Sequence, residues 1–146
     1  MQTTINEQMG KVTTTLTIAN RIDQVKAEEG LISPEQIRSV TLENVLVDTG
    51  ATTLCLPPDV IAQLGLKPLK EVKVNTALGA SKTRVFQDAS ISLLGREGTF
   101  DCLELTASKR SLLGVIPLEM LGIKVDLKNQ QLVVLPDASD DTYLTI

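Results

Sequence analysis

Over most of the chain apolar and polar residues alternate with a period of two, and glycine- or proline-marked turns interrupt the alternation. Val12, Leu16 and Ile18 are set against Thr13, Thr15 and Thr17, a β-branched pattern that predicts a half-buried strand. Val40 and Leu42 against Thr41 and Glu43 predict a second strand, which Val45-Leu46-Val47 carries into the interior. Val72 and Val74 lead to a small tip, Leu78-Gly79-Ala80-Ser81, and Thr83, Val85 and Phe86 return from it, the signature of a hairpin. Ala89, Ile91 and Leu93 then alternate with Ser90 and Ser92, Gly95 to Gly98 turn the chain, and Phe100 to Leu105 form the next strand. Val125 to Leu127 and Leu132 to Leu135 close the series as a hairpin around Lys128-Asn129-Gln130.

The spacing turns helical in two places. Pro57-Pro58-Asp59 opens a short helix with Val60, Ile61 and Leu64 on one side and Gly65 as its left-handed stop. Pro117 starts a second, which ends at Leu121-Gly122. Leu64-Gly65-Leu66-Lys67 and Leu121-Gly122-Ile123-Lys124 correspond closely enough to read as an imperfect internal duplication. The polar stretch 21–38 reads as a loop insertion with one helical turn at Ser33-Pro34-Glu35. The class is therefore all-β, short strands and hairpins with one or two short helices.

A chain of 146 residues is long enough for one real core and too short for two. Residues 1–136 are expected to form that domain, with 1–11 a frayed arm at its start. Residues 137–146 are an acidic tail carrying Asp137, Asp140 and Asp141, or one more short strand at Tyr143 to Ile146.

Composition then removes whole classes of function. The formal charge is −4, no dense Lys/Arg stripe occurs, and the chain has only two Phe and one Tyr, so both the phosphate-binding and the base-stacking signatures of nucleic-acid proteins are missing. No run approaches the ~18 apolar residues that span a bilayer, and Met1 to Gly10 carry no apolar leader core, so the expectation is a soluble, cytoplasmic protein with no membrane partner. Cys55 and Cys102 are expected as reduced, buried thiols. Histidine is absent, which removes the base of Ser-His and Cys-His catalysis and the commonest zinc ligand, and no glycine-rich phosphate loop is present. Neither a metal nor a cofactor is implied. What is left is chemistry that carboxylates perform alone.

One carboxylate is placed for it. Val45-Leu46-Val47 runs into Asp48-Thr49-Gly50-Ala51-Thr52, and the apolar run resumes at Leu54, so a charge sits on a tight loop between two buried segments. By itself Asp-Thr-Gly is ordinary turn chemistry. Asp101, Glu104, Glu119 and Asp126 read as surface positions instead.

With the hairpin around Gly79 and Leu112-Leu113-Gly114 before the second helix, in that order, the chain resembles the retropepsin-like aspartic proteases over roughly Val12 to Leu135. The resemblance implies a closed, barrel-like acid protease fold with one lobe per chain. It implies Asp48 as the catalytic acid and base, Thr49, Gly50 and Ala51 as its loop, and Gly50, Leu78, Gly79, Ala80, Leu113 and Gly114 as substrate-binding positions. Leu54, Val85, Leu113 and Ile116 are expected to wall aliphatic pockets for an extended peptide. Since the sequence holds one Asp-Thr-Gly, an active enzyme must be a homodimer that pairs two Asp48 side chains. The interface is expected from Val12 to Ile18 with Leu144 to Ile146, or from the 21–38 excursion. Where retroviral members follow the later glycine with arginine, this chain has Val115. A protease-like dimer that binds peptides without turnover is the alternative reading.

Overall fold

The structure, a computed structural model, describes residues 11–106 and 110–136; the expected N-terminal arm and C-terminal tail, residues 1–10 and 137–146, lie outside the described residues. The strands are β1 (Val12–Asn20), β2 (Ser39–Val47), β3 (Leu54–Leu56), β4 (Lys67–Thr76), β5 (Gly79–Leu93), β6 (Arg96–Glu104), β7 (Leu112–Leu113), β8 (Ile123–Asp126) and β9 (Gln131–Val134). The helices are α1 (Arg21–Glu28), α2 (Pro58–Leu64) and α3 (Val115–Met120).

The main sheet runs β1-β2-β7-β3-β6-β5-β4, and β1 also pairs with β5. That second pairing closes the ladder into a barrel-like ring from which β4, held by β5 alone, projects as an arm. Leu16, Ile18, Leu54, Leu56, Ile91, Leu93 and Leu113 fill the ring's interior while Thr13 and Thr15 face solvent, the outcome that period-two patterning demands. A bulge interrupts the β1–β2 register between Thr14 and Leu16, and Asn44 opposite it takes a left-handed φ of 58°. β8 and β9 form a separate two-stranded sheet. Among the described residues no helix is long and apolar enough to cross a membrane.

Three expectations change. The excursion 21–38 is not simply a loop: Arg21 to Glu28 form α1 directly from the end of β1, and only Pro34–Gln36 make the expected turn. The helix was hidden because its one buried residue is Asp23, so no apolar stripe marks it. It is held by polar contacts. Asn20 Oδ1 accepts from Asp23 N at 3.0 Å, and its Nδ2 donates to Leu64 O at 2.9 Å, so one side chain caps the start of α1 and the end of α2. Arg38 then donates to the Asp23 carboxylate through N (3.0 Å), Nε (2.8 Å) and Nη2 (3.0 Å).

Second, the later helix begins at Val115, two residues ahead of Pro117, which sits in a first turn where its missing N–H costs nothing. Third, β1 is paired on both edges over Thr17 to Ala19, so that part of the strand has no free edge to offer a second copy. The two Leu-Gly stops do behave alike, with Gly65 at φ 62° and Gly122 at φ 66°.

Candidate active site

The strand order places β7 between β2 and β3, so the connection 48–53 must arch over the end of β7. Backbone hydrogen bonds fix both feet of that arch. Asp48 N donates to Leu113 O at 3.0 Å, and Ala51 N donates to Asp48 O at 3.0 Å. On the far side Gly114 N, Val115 N and Ile116 N donate to Thr53 O (3.1 Å), Ala51 O (3.0 Å) and Thr52 O (2.9 Å), which gives the first N–H groups of α3 the partners that a helix start lacks. The bonds that tie the arch to β7 and α3 are all neutral backbone bonds. The Asp48 charge takes no part in them.

Asp48 is half-buried at the mouth of this arch. Its Oδ1 accepts from Gly50 N at 2.8 Å, an Asx turn that orients the carboxylate, and among the described residues Oδ2 has no hydrogen-bond partner. Thr49 is exposed and its hydroxyl makes no hydrogen bond within the described residues. Asp48, Gly50, Ala51 and Thr52 line a cleft of about 770 Å³ with Cys55, Leu103 and Leu112, and the β4–β5 arm borders it through Lys73 to Ala77 and Ser81 to Thr83. A smaller apolar pocket of about 420 Å³ adjoins it, lined by Val72, Val74, Val85, Phe100, Leu103 and Ile116. Thr52, Val74 and Leu103 belong to both.

The expected pocket walls are thus found at Val85 and Ile116 but not at Leu54 or Leu113, both fully buried in the core at 0% exposure. Leu112, one residue earlier and opposite Cys55, faces the cleft instead, because adjacent strand residues point to opposite faces. Gly114 is also buried, and it serves packing: a Cβ there would lie 2.5 Å from Ala51 O and 2.6 Å from Thr53 N and O. At the arm's tip the turn is Ala77-Leu78, and Gly79 and Ala80 already pair with Thr76 and Asn75. Gly79 has φ 110°, a value few other residues adopt. The Thr76 hydroxyl accepts from Leu78 N (3.2 Å) and donates to Gly79 O (2.7 Å). Leu78, Gly79 and Ala80 do not line the Asp48 cleft within one chain, and Leu78 is 100% exposed.

Glu104, expected at the surface, is 8% exposed and borders the cleft. Arg84 holds both its oxygens, Nε to Oε1 at 3.0 Å and Nη2 to Oε2 at 2.8 Å, and lies 4.9 Å above the Phe86 ring. No sequence signal pairs residues twenty apart; only the β5–β6 register does. Cys55 and Cys102 are free and buried as expected. Burial first, then the Asp48 charge, pushes the Cys55 thiol up to about 11, and burial with Cys55 beside it pushes Cys102 to about 12.

A family model described as aspartyl protease matches residues 34–116, which contain the arch, the arm and Leu112-Leu113-Gly114. Among solved structures the fold is similar to that of the EIAV protease complexed with the inhibitor HBY-793, with a TM-score of 0.53 at 21% sequence identity over 80% of this chain and 92% of that one. At that identity the likeness is one of fold. No curated protein matches the chain.

Proposed function

The chain belongs to the aspartyl protease family, and from that premise we propose that it hydrolyses peptide bonds as a C2 homodimer, activating a water between two Asp48 carboxylates. The observation that carries this reading is that, among the described residues, the cleft holds one carboxylate with an oxygen free of hydrogen bonds. Glu104, the other acid on the cleft, has both oxygens engaged by Arg84. Amide hydrolysis needs one group to accept a proton and another to donate one, so the second group has to come from another copy.

Two carboxylates brought to about 3 Å of each other share one proton, since like charges at that range do not both ionise. The ionised Asp48 takes a proton from water as its oxygen attacks the carbonyl carbon, and the protonated Asp48 gives its proton to the carbonyl oxygen. As the C–N bond breaks, the Asp48 that took the water proton passes it to the departing amine nitrogen, and one gem-diol hydroxyl gives its proton to the other Asp48, which restores the singly protonated pair. The exposed Thr49 hydroxyl is available to a backbone acceptor of the second copy. The β4–β5 arm, with Leu78, Gly79 and Ala80 at its end, closes over an extended peptide whose aliphatic side chains enter the pocket of Val72, Val85 and Ile116. Residues 1–136 form the working unit, and the interface draws on surfaces other than the doubly paired end of β1.

Peptide cleavage by wild type and by Asp48→Asn, with sedimentation of both, tests the reading. Equal cleavage by the two proteins, or an active monomer, overturns it. Peptide binding by a wild-type dimer that never cleaves would establish the silent-binder alternative.

A further inference from the structure

The β4–β5 arm carries the opposite sign from the rest of the chain. Between Lys67 and Arg84 it holds five basic residues and a single acid, Glu71, in a protein whose formal charge is −4. Arg84 is committed to Glu104. Lys73 and Lys82 stand directly opposite each other in the β4–β5 ladder, and neither makes an ion pair among the described residues. Like charges in facing positions destabilise a ladder. Both lysines line the cleft that contains Asp48.

From this juxtaposition we infer that the enzyme selects peptides with an acidic side chain close to the scissile bond, and that Lys73 and Lys82 are the residues that read it. The inference rests on the protease reading above and specifies its substrate class. A carboxylate lying between the two ammonium groups removes their mutual repulsion and gains charge-assisted hydrogen bonds from both. Of the other groups on the cleft, Thr52, Asn75, Thr76 and Ser81 are neutral, the Glu104 carboxylate is taken by Arg84, and Asp48 makes no ion pair with either lysine among the described residues. A nucleic acid fits less well. Its continuous charge would run along the same cleft as Asp48, and no aromatic side chain lines that cleft to stack a base.

The test uses peptide pairs that differ only by Glu against Gln, placed in turn at each position on either side of the cleaved bond. At low salt kcat/KM should favour Glu at one or more positions by about threefold to tenfold, the range that two exposed ion pairs provide. The ratio should shrink toward one at high salt, because exposed charges are screened. Lys73→Gln/Lys82→Gln should cleave both members of each pair at equal rates, and Lys73→Glu/Lys82→Glu should prefer Lys over Gln peptides. Equal use of Glu and Gln by wild type, or a preference that survives in the Gln double variant, overturns the inference. Fluorescence anisotropy of the same pairs on wild type and Asp48→Asn separates the two readings. Tighter binding of Glu peptides without any turnover overturns the protease and supports the charge preference; equal binding overturns the preference. A short single-stranded oligonucleotide that displaces Glu peptides at lower concentration than they bind also overturns it.

Discussion

Gly50 and Gly114 occupy matching places, each following an apolar strand that ends in the barrel, β2 in one case and β7 in the other. Their surroundings differ completely. A Cβ at Gly50 would meet only Oδ1 of its own Asp48, at 3.1 Å, whereas one at Gly114 would penetrate the backbone of Ala51 and Thr53. The first glycine lies on the open side of the loop, at the cleft. The second lets another loop press against it from behind. One arch thus has a chemical face and a structural face, and its parts should fail in different ways when altered.

The largest separation is expected from Asp48→Asn. Asparagine keeps an oxygen to accept from Gly50 N, so thermal unfolding should barely move, while kcat/KM falls by about 10³-fold or more because the proton-transferring group is gone. Gly114→Ala should do the reverse. Its overlaps are with backbone and cannot be relieved by rotating a side chain, so urea unfolding should show a loss of about 3 kcal/mol or more, against less than about 1 kcal/mol for Gly50→Ala. Equal destabilisation by the two alanines would erase the distinction between the faces.

A third glycine sharpens the comparison, because a charged group covers it. The Arg38 guanidinium lies over Gly65 while clamping Asp23. The hydrogen bonds from Arg38 hold the Asp23 carboxyl below its ordinary 3.8. A carboxylate lowered on folding contributes stability that is fully present above the unfolded value and is lost as pH falls from there through the folded one. Stability should accordingly drop below about pH 4, and Asp23→Asn should be less stable at neutral pH with a shallower acid slope. An unchanged slope in urea unfolding against pH would remove the clamp from the account.

The smallest effect concerns the thiol behind the arch. With Cys55 pushed up to about 11 and Cys102 to about 12, thiolate is scarce at neutral pH, and native protein should react with iodoacetamide far more slowly than the urea-unfolded chain. Mass spectrometry of the alkylated protein reads this directly, and rapid labelling of Cys55 in the native state would show the arch to be open at the back.

Much of the arch was readable in advance, since its signals are local: an apolar strand, a turn of Asp, Thr and Gly, and a second apolar run. The same holds for α2, where proline at the start and Gly65 at the stop act within their own turn. Local pattern is silent where a residue's role depends on a distant partner. α1 has no apolar stripe because Asn20, Asp23 and Arg38 hold it, and Arg38 reaches Asp23 across fifteen positions. Glu104 looks like any strand-end acid until the β5–β6 register sets Arg84 beside it.

By itself, then, the sequence determined the strands, the helix stops and the single Asp48 loop, because backbone preference and side-chain periodicity act over a few residues. Periodicity, however, sets only relative parity along a strand. Whether Leu112 or Leu113 faces the cleft, that β7 lies between β2 and β3 so that the loop must arch, and that Lys73 meets Lys82 are matters of strand order and register. Tertiary structure alone decided them, since each depends on hydrogen-bonded pairing between segments that no local pattern connects.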